Sequence, residues 1–201
     1  MKPVRYFILI FSLFATLSFV ARKNSHIGRD VNDFQLLSTK RTLTSLASFP
    51  NAKGFMIVFT CNHCPFAKLY TERFNKLSEM YSKLNVPLLA INSMDTFVYE
   101  EETFKLMCDK ANTEQYLFPY LYDNMQMVGK DFHAEHTPHA FVIWKEAGKW
   151  IIRYSGAIDD NGEHPELAKA MMANAVDDLL ANRLVQVPET ASFGCAIFYR
   201  K

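Results

Sequence analysis

The stretch Phe55-Met-Ile-Val-Phe-Thr60, Cys61-Asn-His-Cys64, Pro65-Phe-Ala-Lys-Leu-Tyr70 joins an apolar run to a helical pattern through a Cys-X-X-Cys pair. The uninterrupted apolar run predicts a strand at the centre of a sheet that is covered on both faces. An amphipathic helix should follow, because apolar residues recur every three or four positions over residues 66–84. Two thiols at this spacing can alternate between dithiol and disulfide, and the N-terminus of a helix favours a thiolate over a thiol.

The two cysteines and the histidine between them have separate predicted roles. Cys61, as the N-terminal and more exposed member, is expected to be the attacking thiolate, with Cys64 as the resolving thiol that releases a mixed disulfide. His63 is expected to stabilise the Cys61 thiolate, which would make the pair more oxidising. The alternatives are a static disulfide, half of a zinc site, and an exposed histidine without a role. The sequence contains no second Cys-X-X-Cys that would complete a zinc site.

Length and composition indicate one globular domain. The chain has 201 residues, of which 49% are hydrophobic and 21% charged, enough for a full core. A formal net charge of +1 and the lack of a Lys/Arg stripe argue against a nucleic-acid surface. An α/β fold around a mixed sheet is expected. The strands are predicted at residues 33–36, 42–46, 55–59, 86–91, 116–122, 140–144 and 150–154, and helices at 66–84, 99–111, 125–132 and 165–183.

The first 24 residues have the layout of a secretory signal peptide. Basic residues precede an uncharged apolar segment at residues 6–20, and Arg22 and Lys23 follow it. We therefore predict a signal peptide or N-terminal anchor at residues 1–24 and the folded domain at residues 25–201. The protein is then exported and works in the periplasm or another extracytoplasmic compartment, with a membrane tether if the segment is not cleaved. The alternative is a buried core helix.

The other two cysteines are assigned separately. Cys108 lies on an apolar helical stripe with Phe97, Phe104 and Ala111, which favours a core cysteine over a reactive one. Cys195 lies near the C-terminus, in Ser192-Phe-Gly-Cys-Ala-Ile197. It is either a buried residue of the tail or an accessory thiol, and the sequence leaves both alternatives open.

Several segments together resemble the peroxiredoxin-like (AhpC/TSA, redoxin) branch of the thioredoxin superfamily, over about residues 28–200. The tail around Cys195 is similar to a Gly-Cys ending of that branch. The segments that carry the resemblance are Asp33-Phe-Gln-Leu36, the Cys61-Asn-His-Cys64 unit, Phe118-Pro-Tyr-Leu-Tyr-Asp123, Thr137-Pro138 and Tyr154-Ser-Gly-Ala-Ile-Asp-Asp160.

This resemblance implies a thioredoxin-like fold: a mixed central sheet flanked by helices, with a β-α insertion before the Thr-Pro loop. It also implies that Pro138 is cis and packs against the disulfide, and that the backbone of Thr137 pairs with a bound substrate chain. The implied function is a thiol–disulfide oxidoreductase that acts on protein thiols or disulfides and needs no cofactor.

Departures from the family pattern keep two other functions open. Phe55 stands where thioredoxins carry a buried Asp, so a general base must come from elsewhere or solvent must take its place. Aligning Cys64 with the peroxidatic cysteine of peroxiredoxins puts Cys61 and Ile57 at the positions of the family's Thr and Pro, so the peroxidase motif is missing. A thiol peroxidase that uses Cys64 is the first alternative.

The second alternative is a metal-delivery protein. His133, His136 and His139 recur every three residues around the loop that should face the cysteines. With Cys61, His63 and Cys64 they would offer the sulfur and nitrogen ligands that suit copper or zinc. A copper-binding metallochaperone on a thioredoxin fold would follow; otherwise these histidines are ordinary loop residues.

Overall fold

The computed structural model of the chain describes residues 25–201. The predicted signal peptide or anchor at residues 1–24 lies outside the described residues. Over residues 25–201, no helix is both long enough and apolar enough to cross a membrane.

The described chain alternates strands with helices, as predicted. The strands are β1 (Asp30–Val31), β2 (Gln35–Ser38), β3 (Leu43–Ser45), β4 (Gly54–Phe59), β5 (Leu88–Asn92), β6 (Tyr120–Tyr122), β7 (His136–Thr137), β8 (His139–Glu146), β9 (Lys149–Gly156) and β10 (Cys195–Ala196). The helices are α1 (Pro65–Lys68), α2 (Thr71–Ser82), α3 (Phe104–Thr113), α4 (Met127–Phe132) and α5 (Met171–Leu180), with short 3₁₀ turns at Leu46–Ser48, Glu100–Glu102 and Pro165–Leu167.

Eight of the strands form one mixed sheet in the order β1-β9-β8-β4-β5-β6-β2-β3. β4 is central: it pairs parallel with β5 and antiparallel with β8. β8 and β9 pair antiparallel as a hairpin. The remaining two strands, β7 and β10, pair with each other in a separate two-stranded sheet.

Every residue of β4 is buried, because both faces of the sheet are covered. Alternate side chains of a strand point to opposite faces. Met56 and Val58 therefore pack in one core with residues of α2 and α5. Ile57 and Phe59 pack in the other core with Phe132 of α4. The end of this strand is consequently a rigid position for the cysteines that follow it.

The helix predicted over residues 66–84 is interrupted. The structure has a short α1, a turn at Leu69 and Tyr70, and then α2. Tyr70 is turned inward at this break, and its hydroxyl donates to Asp159, which also forms an ion pair with Arg73. The apolar side chains at the ends of the predicted stripe, including Phe66, are exposed rather than in the core.

Two further predicted helices begin later than expected. The segment predicted from residue 99 forms the 3₁₀ turn Glu100–Glu102, and α3 begins only after Thr103, whose side chain accepts a hydrogen bond from the N–H of Leu106. Phe97 is therefore outside the helix and 84% exposed. Near the C-terminus, where the sequence predicted a helix from residue 165, Leu167 lies in a 3₁₀ turn before α5 and is exposed.

The predicted insertion before the Thr-Pro loop consists of α3 and β6. β6 pairs parallel with β5 and antiparallel with β2, and so extends the main sheet. Cys108 lies on α3, where it is half-buried and its Sγ is 3.5 Å from the carbonyl oxygen of Thr39.

Candidate active site

The Cys-X-X-Cys pair lies where β4 ends and α1 begins. Cys64 is the residue before the first turn of α1, and Pro65 occupies the first helical position, where the lack of an N–H has no cost. Both thiols are free. Cys61 is 1% and Cys64 0% exposed, so both thiols are buried and the predicted difference in exposure between them is negligible. Both thiols lie beneath residues of β7, and a partner must therefore reach a covered pair.

Thr137 contacts both thiols. Its Oγ1 lies 3.2 Å from Cys61 Sγ, and its carbonyl oxygen lies 3.1 Å from Cys64 Sγ, which donates a hydrogen bond to it when protonated. The Thr137–Pro138 peptide bond is cis, as the resemblance implied. The structure thus brings together Cys61, Cys64 and the Thr-Pro loop.

Glu102 lies beneath the Cys-X-X-Cys turn and is fully buried. Its carboxylate accepts hydrogen bonds from the backbone N–H of Asn62, at 2.9 and 3.0 Å, and of His63, at 2.9 Å. It also accepts from the side-chain amide of Asn92 at 2.6 Å. Sequence analysis did not identify this residue. Hydrogen bonds to a charged acceptor are stronger than neutral ones, so Glu102 fixes the backbone between the two cysteines.

His63 lies beside Cys61, as predicted, but its closest partner is Glu102. The Nδ1 atom of His63 is 2.6 Å from Glu102 Oε1. Since an ionised carboxylate only accepts hydrogen bonds, Nδ1 carries the hydrogen. The imidazole also stacks on Tyr99, with 4.3 Å between ring centroids. A ring nitrogen of His63, a carboxylate oxygen of Glu102 and Cys61 Sγ all lie within 4.8 Å of one another.

The two thiols of the pair differ in acidity. The hydrogen bond from Cys61 lowers the pKa of Cys64 to about 4, against the effect of burial and with help from Cys195, the N–H of Ala67 and Thr137. The same interaction with Cys64, together with burial and the negative charge of Glu102, raises the pKa of Cys61 above its usual range. In the dithiol state the charge therefore resides on Cys64 and the proton on Cys61. The sequence had predicted the thiolate on Cys61.

The three loop histidines do not join the cysteines. His133 and His139 lie against His26, at centroid distances of 6.3 and 5.7 Å. The Nε2 atom of His139 is 3.1 Å from Ser155 Oγ, and burial lowers the pKa of His139 to about 3. His136 forms a hydrogen bond with Ser192, near the C-terminus. The predicted six-residue sulfur and nitrogen site is therefore not formed.

A smaller group of metal-ligating side chains does exist within residues 25–201. It consists of Cys61, His63 and Glu102. Here the His63 ring and the Glu102 carboxylate are already bonded to each other, and the carboxylate is further occupied by backbone N–H groups. A metal ion would have to displace those hydrogen bonds, so the geometry fits an organised turn better than a metal centre.

A family model described as the AhpC/TSA family matches residues 27–160. The chain belongs to this family. A hypothetical protein from Sinorhizobium meliloti 1021 has a similar solved structure, with 29% identity, a TM-score of 0.80, and coverage of 89% of this chain and 97% of that one. An uncharacterized conserved protein from Geobacillus kaustophilus is also similar, with 29% identity, a TM-score of 0.78, and coverage of 87% and 92%.

A solved structure of lower identity also shares the thioredoxin-like fold. The peroxidoxin BcpB from Mycobacterium tuberculosis is 15% identical, with a TM-score of 0.56 over 79% of this chain and 96% of that one. No match was found among curated proteins. The comparisons thus confirm the predicted redox family of the thioredoxin superfamily. They also confirm the predicted fold, a mixed sheet flanked by helices.

The variant Glu102→Gln tests the role of the buried carboxylate. Its amide group would face the N–H donors of Asn62 or Asn92 in place of an acceptor oxygen. We expect the free energy of unfolding to fall by about 1–3 kcal/mol, since a buried donor would lose its partner. Denaturant titration of the reduced protein measures this change. The control is Glu101→Gln, whose side chain is exposed on the same turn; equal effects of the two variants would contradict the proposed role.

Proposed function

We propose that this protein is a thiol–disulfide oxidoreductase, which exchanges electrons with protein thiols or disulfides through the Cys61/Cys64 pair. The observation that carries the proposal is the interaction between two thiols whose pKa values are shifted in opposite directions. A buried carboxylate holds the turn between these thiols at the start of a helix. Members of the thioredoxin superfamily use such pairs for disulfide exchange, in which a thiolate attacks a disulfide sulfur.

The proposed exchange has two steps. The Cys64 thiolate attacks a sulfur of the partner's disulfide, forming a mixed disulfide and releasing the other partner sulfur as a thiolate, which takes up a proton. Cys61 then loses its proton, attacks Cys64 Sγ and releases the second partner thiolate, leaving a Cys61–Cys64 disulfide. His63, oriented by Glu102 and near Cys61 Sγ, is the group placed to accept the Cys61 proton.

This order of attack reverses the one predicted from the sequence, where Cys61 attacks first. The charge distribution supports Cys64 because Glu102 disfavours a second negative charge on Cys61. Thr137 and Pro138 remain the proposed contact surface for a partner, through the position of Thr137 beside both thiols.

The pH dependence of thiolate formation tests the assignment of the charge. Ultraviolet absorbance of the reduced protein should show a thiolate that forms near pH 4, and Cys64→Ser should abolish this transition. Cys61→Ala, which removes the hydrogen-bond donor, should move it to higher pH, because the Cys61 hydrogen bond is the largest cause of the shift. Cys108→Ser is the control and should leave the transition in place. A transition that survives in Cys64→Ser would place the thiolate elsewhere.

The same shift has a consequence for stability. The folded pKa of Cys64 is lowered from 9.0 to about 4, so ionisation stabilises the folded reduced protein. This contribution is fully present above the unfolded pKa of 9.0 and is lost as the pH falls through about 4. The difference in unfolding free energy between the wild type and Cys64→Ser should therefore grow between these limits.

Trapping of mixed disulfides tests the order of attack. The variants are made in a Cys108→Ser/Cys195→Ser background, so that only Cys61 and Cys64 can form a glutathione adduct. After addition of oxidised glutathione, Cys61→Ser should hold a glutathione adduct on Cys64, because the thiolate is there and no resolving thiol remains. Cys64→Ser should form its adduct more slowly. Mass spectrometry quantifies both, and faster adduct formation in Cys64→Ser would restore Cys61 as the attacking thiol.

A thiol peroxidase is the second candidate, and the lowered pKa of Cys64 favours it. The Cys64 thiolate would attack one peroxide oxygen, become a sulfenic acid and release the other oxygen as water or an alcohol. Ile57 and Cys61 occupy the positions of the family's Pro and Thr, so we expect slow reaction. Rapid sulfenic acid formation at Cys64 in Cys61→Ser would make this the better assignment.

The proposed site of action is outside the cytoplasm, in the periplasm or another extracytoplasmic compartment. The support for it is the basic-then-apolar pattern of residues 1–24. Fractionation of cells that express the untagged protein tests this proposal. We expect the protein in the extracytoplasmic or membrane fraction; full-length protein confined to the cytoplasm would contradict it.

A further inference from the structure

The C-terminal tail, defined here as residues 192–200, runs beside the thiol pair as an added strand. β10 pairs antiparallel with β7, and Cys195 lies directly opposite Thr137. The N–H of Ile197 continues the contact by donating to the carbonyl oxygen of Glu135 at 2.8 Å. Strand addition to an exposed edge is a common way for proteins to bind extended peptides. Here the chain's own tail occupies the edge next to Thr137.

Several contacts hold the tail in this position. The side chain of Gln126 donates to the carbonyl oxygen of Phe198 at 2.9 Å and accepts from the N–H of Arg200 at 2.8 Å. The hydroxyl of Tyr199 donates to Ala134 at 2.7 Å. The side chain of Ile197 is buried. These contacts fix the tail immediately after Cys195, so the position of that cysteine is set by the fold.

Gly194 allows the tail to approach the Thr-Pro loop closely. Its φ angle is +144°, a region that favours glycine, and a Cβ atom there would overlap the carbonyl oxygen of Thr137. That oxygen also lies 3.1 Å from Cys64 Sγ. Replacing Gly194 with alanine should therefore move the tail away from the pair without changing any thiol.

Three thiols consequently meet at Thr137. The side chain of Cys195 interacts with Cys64 and contributes to the lowered pKa of Cys64. Burial and the neighbouring Cys64 raise the pKa of Cys195 to about 12. Cys64 thus interacts with both Cys61 and Cys195. Cys195 is half-buried, whereas the other two are fully covered.

We propose that Cys195 is a third redox thiol, which exchanges with the Cys61–Cys64 disulfide and carries it towards the surface as a Cys64–Cys195 disulfide. The inference rests on the proposed disulfide-exchange function and adds a route by which the disulfide reaches the protein surface. In the step, Cys195 first loses its proton to solvent, and its thiolate attacks Cys64 Sγ. The Cys64–Cys195 bond forms, the Cys61–Cys64 bond breaks, and Cys61 leaves as a thiolate that takes up a proton. The number of disulfides is unchanged, so no external oxidant is needed.

The charge on Cys64 makes the reactivity of Cys195 depend on whether the Cys61/Cys64 pair is reduced or oxidised. In the dithiol form, the charge on Cys64 is one cause of the raised pKa of Cys195. When Cys64 is part of a disulfide it bears no charge, and this contribution disappears. Cys195 therefore forms a thiolate more readily when a disulfide is present for it to attack. A partner's thiolate can then attack the sulfur of the half-buried Cys195, which breaks the Cys64–Cys195 bond and releases Cys64 as a thiolate.

A variant that leaves only Cys64 and Cys195 tests the contact directly. Reduced Cys61→Ser/Cys108→Ser is treated with oxidised glutathione and digested without reduction, and the peptides are identified by mass spectrometry. We expect a Cys64–Cys195 disulfide, with both glutathione molecules of the reagent released as thiols. The matched control is Cys61→Ser/Cys195→Ser, in which Cys64 should keep its glutathione. Adding Gly194→Ala to the first variant should slow ring closure by about tenfold or more, since closure depends on thiol placement.

A glutathione adduct that persists in Cys61→Ser/Cys108→Ser, as in the control, would overturn the inference. The wild-type chain separates this failure from failure of the proposed function. If it forms a Cys61–Cys64 disulfide and reduces insulin, while Cys195→Ser does so at the same rate, the pair works without the third thiol. If the wild type neither forms that disulfide nor reduces insulin, the proposed function itself fails, whatever Cys195 does.

Discussion

The hydrogen bonds between the Glu102 carboxylate and the backbone of Asn62 and His63 are the constraint on which the site depends. A buried charge is tolerated only when it is fully paired, and here two backbone N–H groups, the Asn92 amide and the His63 ring supply the partners. These bonds hold the residues between the cysteines in a single turn. β4, buried on both faces, fixes the other end of that turn.

Thr137 links the pair to the rest of the fold. Its hydroxyl contacts Cys61, its carbonyl oxygen contacts Cys64, and its backbone is paired opposite Cys195. A loop that served only to bind partners would present a free edge. In this chain the edge beside Thr137 is paired with the tail, and both thiols are buried. Access to the pair is therefore a property of the tail as much as of the Cys-X-X-Cys turn.

The sequence predicted the parts of the site that local patterns encode. The apolar run of β4 and the Cys-X-X-Cys spacing placed the thiols correctly, and the family resemblance implied the cis bond before Pro138. Glu102 was missed because it lies in an acidic triplet, Glu100–Glu102, that resembles the solvated start of a helix. Glu102 is a buried acceptor because the turn ends early, at Thr103, and because the Cys-X-X-Cys loop, which is distant in sequence, covers the carboxylate. The pairing of Cys195 with Thr137 joins residues 58 positions apart, and such register is not visible in a single sequence.

The position of the thiolate follows from the same buried carboxylate. Two negative charges in a shared low-dielectric site repel each other strongly, so a thiolate on Cys61, beside Glu102, is disfavoured. The pKa of Cys64 is instead lowered by hydrogen bonds from Cys61 and from the N–H of Ala67. The carboxylate that orders the turn thereby also directs the charge to the sulfur that adjoins the tail. Fixing the loop and choosing the reactive thiol are, in this chain, two effects of one buried residue.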